Sequence, residues 1–187
     1  MAISQFAADF IEILTREVPP QAVRTEKDLE REFVVPIATR AVARHPQVLV
    51  YSHPFRNRTC CVPVCAGAPP AGRGRVVGCP KCWAESKAWA CVAAFGTNHT
   101  FDLVARDRDL KSLALEVKVA AVVAGRMPNG QIQRFLGQCS LAATSHDVVI
   151  GLCGLHGRLS EKWHRNTENA MKWFRGRNVY LIFRQLG

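Results

Sequence analysis

The chain has 187 residues, 48% of them hydrophobic, and a formal net charge of +10. That length suffices for one domain with its own core, and no apolar run approaches the roughly 20 residues of a membrane span. The N-terminal stretch MAISQFAADFIEIL carries acids among its apolar residues and lacks the basic region of a secretory signal. A soluble, cytoplasmic protein is therefore expected, and the positive charge favours a polyanionic partner, most simply nucleic acid.

In chain order, residues 4–17 repeat Phe6, Phe10, Ile13 and Leu14 at helical spacing, with Ser4 as N-cap. Pro19 and Pro20 end that helix. Thr25 opens a second one, TEKDLEREFVVPIATRAVARH, in which Asp28 takes the place of the acid in a capping box. Pro36 marks a kink or a boundary inside it. QVLVYS (47–52) reads as a strand. Residues 56–82 are rich in Pro, Gly, Arg and Cys, a composition that cannot bury a core of its own. Residues 84–95 fit helix or strand equally.

TFDLVAR (100–106) and SLALEVKVA (112–120) are strands joined by the charged turn DRDLK, most simply a hairpin. NGQIQRFLGQCSLAA (129–143) reads as a helix capped by Asn129, followed by the strand DVVIGLC (147–153), a helix over about 159–174, and the strand NVYLIF. Helices first, then strands interleaved with helices, predict an α/β fold: a mixed β-sheet flanked by helices.

The second strand of the hairpin raises a chemical question. Strand period places Glu116 and Lys118 on one face, while Leu115, Val117 and Val119 fill the other. Asp102 lies in FDLVA among apolar neighbours, so the hairpin can bring its carboxylate to Glu116. Converging carboxylates repel, and ionising both is costly. A hard divalent cation resolves the conflict, since Mg²⁺ is typically held by one or two carboxylates together with phosphate oxygens. The ordinary alternative is a solvated charge pair on an edge strand, worth little.

FDLVA followed by LALEVKVA resembles the core motif of the PD-(D/E)xK nuclease superfamily, the restriction-endonuclease-like fold, with Asp102, Glu116 and Lys118 as the matching residues. Phe101 stands where the proline of the family's name would be. The helix TEKDLEREFVVPIA is similar to one that carries a site Glu in many members; Glu30 is the first choice and Glu26 the second. GQIQRFLGQCSLAATSHDVVIGL resembles the helix and strand that follow the core motif and can carry a site Gln, with Gln138 the better match and Gln131 the other. The resemblance implies Mg²⁺ (or Mn²⁺) held by Asp102, Glu116 and the Val117 carbonyl, with Lys118 assisting the attacking water and Glu30 supporting the site. It implies hydrolysis of phosphodiesters, usually of DNA, and a homodimer is common in such enzymes. A non-catalytic nucleic-acid-binding protein that keeps the fold is the alternative.

Eight cysteines, five of them between positions 60 and 82, complete the pattern. Cys79 and Cys82 form a C-x₂-C hook; Cys65 pairs with Cys61 or, one residue earlier, with Cys60, all within zinc-ligand spacings. A structural Zn²⁺ would order this loop, making residues 56–83 a zinc-binding insertion in a single domain of residues 1–187. His53 and Cys91 are reserve ligands. Arg56, Arg58, Arg73 and Arg75 on the loop suit phosphate contact, or are simply solvated. Cys139 and Cys153 read as core residues.

Overall fold

The computed structural model describes residues 2–52, 75–77, 91–94 and 97–187. Helix α1 (Ala2–Arg16) buries Ile3, Phe6, Ala7, Phe10 and Leu14, the apolar stripe of an amphipathic helix. Its start corrects the sequence reading, because Ser4 is not the cap. The Ile3 N–H donates instead to the buried Asp107 carboxylate at 3.0 Å. An orphan donor of the first turn is thus satisfied from a distant part of the chain. At the other end the Arg184 guanidinium donates to the carbonyls of Thr15 and Glu17.

The Thr25 capping box forms as expected: Asp28 N–H donates to Thr25 Oγ1 at 3.2 Å and Thr25 N–H donates to the Asp28 carboxylate at 2.9 Å. The helix that follows is not uniform. It runs as α2 (Glu26–Leu29), a π-helical turn (Glu30–Val34) and α3 (Val35–Ala43). Pro36 has no N–H, and its ring crowds the carbonyl four residues back. The backbone just ahead of it widens, with Val35 N–H bonded to the Glu30 carbonyl.

The strands are β1 (Leu49–Ser52), β2 (Arg75–Val77), β3 (Cys91–Ala94), β4 (Thr97–Thr100), β5 (Leu103–Arg106) and β6 (Ser112–Ala121). They are followed by helix α4 (Asn129–Ala142), β7 (Val148–His156), helix α5 (Glu161–Arg175) and β8 (Val179–Gln185). Among the described residues, six strands form one sheet in the order β2-β1-β5-β6-β7-β8. It is mixed: β1–β5 and β5–β6 are antiparallel, while β1–β2, β6–β7 and β7–β8 are parallel. β3 and β4 pair as a separate antiparallel ribbon, so the expected single strand over 100–106 is split. Asn129 is the first residue of α4 rather than its cap, a place taken by Pro128; its fixed φ suits a helix entry.

Two cores lie on the two faces of the sheet. Side chains of α1, α2, the π turn and α3 pack with Leu113, Leu115 and Val117 on one face. Phe135, Cys139 and Ala142 of α4 and Phe174 of α5 pack with Ala114 and Ala120 on the other. The α/β architecture with a flanked mixed sheet is therefore as expected. No helix among the described residues is long and apolar enough to cross a membrane.

Candidate functional site

The site begins with a mismatch in strand length. β6 has ten residues and β5 four. Their ladder stops at Leu103↔Leu115, so among the described residues β6 from Glu116 onward has β7 on one side and no strand on the other. Continued by two residues, the register would set Phe101 opposite Val117. The chain leaves the ladder first, and the Asp102 carboxylate accepts the Val117 N–H at 2.7 Å. Asp102 therefore lies just before β5 and not within it, a correction to the sequence reading. Its carboxylate replaces a backbone acceptor. N–H and C=O of one strand residue point to the same edge of an antiparallel pair, so the Val117 carbonyl opens into the same notch.

Helix α2 packs against β6 beside this notch. Glu26 and Glu30 are four residues apart and share a helix face. Glu30 is buried and hydrogen-bonded to Asp102. The Lys118 ammonium is ion-paired with the Glu26 carboxylate. Both acids weighed on this helix thus take part: Glu30 with the aspartate and Glu26 with the lysine. The solvated-edge reading of Glu116 and Lys118 does not hold, because Glu116 is buried and the Lys118 side chain is only 18% exposed in its pair with Glu26.

Burial, then the neighbouring Asp102 charge, push Glu30 up to about 9. The same two causes push Glu116 up to about 8, with Lys118 pulling the other way. Burial raises Asp102 only to about 6, because the Val117 N–H and the Glu30 hydrogen bond favour its ionised form. At neutral pH Glu30 keeps its proton and donates it to an ionised Asp102. The cluster is a set of desolvated oxygen donors short of positive charge.

Compared with protein-family models, characterised proteins and solved structures, the chain matches none. The site is read from its own atoms.

Among the described residues, no three His, Cys, Asp or Glu side chains are gathered as metal ligands; the Asp102 carboxyl is instead engaged by Glu30 and the Val117 N–H. In kind, however, the donors fit a hard divalent cation. Asp102, Glu116 and the Val117 carbonyl are all oxygen, the chemistry such ions select. The raised carboxyl pKa values are the response of acids held together without a counter-ion.

α4 crosses the sheet on the Glu116 side. Burial, then the Glu116 charge, push the Cys139 thiol up. Gln138 and Gln131 lie on this helix, and each has a buried amide oxygen with no hydrogen-bond partner. Neither oxygen accepts a hydrogen bond from Lys118 or from a site acid. Cys139 and Cys153 are buried as expected, and the Cys153 thiol lies 4.0 Å from the Met127 sulfur.

Cys60, Cys61, Cys65, Cys79, Cys82 and His53, with Arg56, Arg58 and Arg73, lie outside the described residues. Arg75 opens β2 and Cys91 opens β3. The Cys-rich segment thus contributes a strand to the sheet edge, which its composition gave no sign of. The Glu26–Lys118 pair was also only partly foreseeable. Helical spacing puts Glu26 on the face of Glu30, but the partner depends on where α2 meets β6.

Proposed function

We propose that the chain is a Mg²⁺-dependent nuclease, most simply a DNA endonuclease, with a restriction-endonuclease-like core and a zinc-binding insertion. The observation that carries this reading is the meeting of Asp102, Glu116, Lys118 and Glu30 in one notch, where β5 stops and β6 continues. The strand pattern around the notch supports it, with the Asp before one strand and the E-x-K on the antiparallel strand beside it.

Asp102, Glu116 and the Val117 carbonyl would hold the cation. Such an ion supplies positive charge against phosphate oxygens and acidifies water. The residues themselves do the rest. Lys118 presents an ammonium, steadied by Glu26, that orients the attacking water and offsets charge growing on the phosphate. Water oxygen bonds to phosphorus, the P–O bond to the leaving sugar oxygen breaks, and that oxygen takes up a proton. Glu30 holds Asp102 in place through its hydrogen bond. Gln138, on the α4 face toward the sheet, would donate its amide N–H to a phosphate oxygen. Cys61 (or Cys60), Cys65, Cys79 and Cys82 would bind one Zn²⁺, and Arg56, Arg58, Arg73 and Arg75 would meet nucleic-acid phosphates.

The test is cleavage of plasmid, linear, branched and single-stranded DNA in Mg²⁺ or Mn²⁺ against EDTA. Asp102→Ala and Lys118→Ala are each expected to reduce metal-dependent cleavage at least 100-fold, on the order of removing one transition-state contact, while the protein stays folded. Variants that cut at the parental rate overturn the assignment. Elemental analysis is expected to return about one zinc per chain, and a zinc-free, fully folded protein with freely titrating thiols removes that part.

One observation favours a second reading, a non-catalytic nucleic-acid-binding protein. Asp102, Glu30, Lys118 and Glu26 already satisfy one another. Tight DNA binding with no cleavage in either metal would select it.

A further inference from the structure

Beyond Lys118, β6 runs into the stretch AVVAGRMP, where an apolar sequence meets solvent. Val123 and Arg126 exchange backbone hydrogen bonds, Val123 N–H to Arg126 O at 2.9 Å and Arg126 N–H to Val123 O at 3.1 Å. The two residues between them, Ala124 and Gly125, have φ of 49° and 73°. This is the sign pattern of a type I′ turn, which favours Asn and Gly at both places. Alanine there costs about 1–2 kcal/mol. The tip exposes Val123 at 61%, with Arg126 exposed beside it.

The turn is held rigidly. Val122 N–H donates to the His156 carbonyl at 2.9 Å, and Ser160 N–H donates to the Gly125 carbonyl at 2.8 Å. A Cβ on Gly125 would come within 2.9 Å of the Ser160 Cβ, and one on Gly157 within 3.0 Å of the Val122 Cβ. Between these anchors stands exposed Arg158, followed by exposed Lys162 and Arg165 with Glu161 as the acid among them. Positive charge dominates this rim.

Position separates this turn from a similar one. Leu110 is also exposed and also has a positive φ, 64°. It lies at the opposite end of β6, where charges are matched: Lys111 pairs with Asp147 at 3.0 Å. The 122–126 turn sits at the carboxyl ends of the parallel strands β6 and β7, where open α/β sheets bind ligands. It is also the end that bears Lys118. Val123 lies five residue steps beyond Lys118, about 17 Å at roughly 3.3 Å each in extended chain. That is the axial length of about five base pairs.

We propose that the 122–126 turn and Arg158 form the surface that holds duplex DNA beside the notch, with Arg126 and Arg158 on backbone phosphates and Val123 against the sugars between them. This deepens the nuclease reading and rests on it for the location of the scissile phosphate. The surface itself is tested by binding alone. The rigid turn presents its contacts preformed, so little ordering opposes association.

The experiment is fluorescence anisotropy of a labelled duplex of about 20 base pairs, the span of a typical specific site, without Mg²⁺, Mn²⁺ or chelator, over a series of salt concentrations. For Arg126→Ala/Arg158→Ala, the slope of log K against log salt is expected to shrink by about 2, and affinity to fall roughly tenfold or more. Arg126→Lys, which keeps the charge, should keep the slope. Val123→Ser should weaken binding roughly fivefold with the slope unchanged, as loss of apolar contact does. A folded double variant that binds with parental affinity and slope overturns the proposal, as does a parent that does not bind duplex. If Asp102→Ala stops cleavage while the double variant binds normally, the notch assignment stands and this surface falls. If the double variant loses binding and the parent never cuts, the surface stands and the nuclease reading falls.

Discussion

His146 lies buried against the edge of Phe101, with Nδ1 3.0 Å from Ser112 Oγ and Nε2 without a partner. Burial lowers its pKa to about 4 from an ordinary 6.5. Below pH 6.5 the unfolded chain binds a proton that the folded one refuses, so the contribution of His146 to stability falls as pH drops from 6.5 towards 4. The loss over that window is on the order of 3 kcal/mol at 1.36 kcal/mol per unit. His146→Asn removes the titration, so its change in urea stability from pH 7 to 4.5 is expected to be more favourable than the parent's. Equal changes in the two proteins would show that His146 does not titrate in this window. At this scale the sequence exposed the identities of the site residues and hid their bonds. Asp102 was visible as an acid among apolar neighbours. Its role as acceptor for Val117 N–H follows from where the β5 ladder stops, which periodicity does not encode. Asp107 likewise reads as a turn residue in DRDLK, although its carboxylate also caps α1 from over a hundred positions away.

Among the elements, α4 and β7 illustrate how closely the site's supports are packed. Gly151 stands opposite Glu116 in the β6–β7 register. A Cβ there would fall 2.6 Å from Cys139 Sγ and 2.7 Å from Phe135 Cζ. Neither neighbour is the loose end of a surface side chain; both are fully buried. Gly151→Ala must therefore push α4 off the sheet, at about 1–3 kcal/mol for overpacking. A melting temperature lower by several degrees is expected for a chain of this size, and the proposed cleavage would weaken as the wall beside Glu116 shifts. An unchanged melting temperature would mean that α4 yields freely. The helix is legible in the sequence from Phe135, Cys139 and Ala142, whereas the glycine that lets it approach reads only as part of an apolar strand. The 25–45 helix divides in the same way. Its cap, its buried face and a break near Pro36 follow from residue types. The π turn does not, because it is the compromise between the missing proline donor and a core that fixes both α2 and α3.

For the molecule as a whole, alternation of helices and strands revealed the α/β class, while strand order depended on pairings between distant segments. β2 was illegible because its three residues sit in a Pro-, Gly- and Arg-rich stretch and gain their partner only by lying parallel to β1. The assembled sheet also creates a property that no single segment has, a buried acid cluster that works against the fold as pH rises. Asp102, Glu116 and Glu30 have pKa values raised to about 6, 8 and 9. The folded chain therefore binds more protons than the unfolded one from about pH 4 upward. Their contribution to stability is full below that pH and is lost progressively through 6, 8 and 9, opposite in sign to that of His146. The metal-free protein is expected to be most stable in mildly acidic solution and to weaken towards pH 9. A cation held by the ionised acids, as proposed, would offset part of that decline. At tenfold excess over its dissociation constant, Mg²⁺ would add about 1.4 kcal/mol, a rise of about 3–6 °C. The rise should be clear at pH 8 and nearly absent at pH 5, where protons hold the site. Asp102→Asn/Glu116→Gln is expected to flatten the alkaline decline and abolish the Mg²⁺ response together. A double variant that still gains the full Mg²⁺ stabilisation at pH 8 would place the ion elsewhere and separate the acid cluster from metal binding.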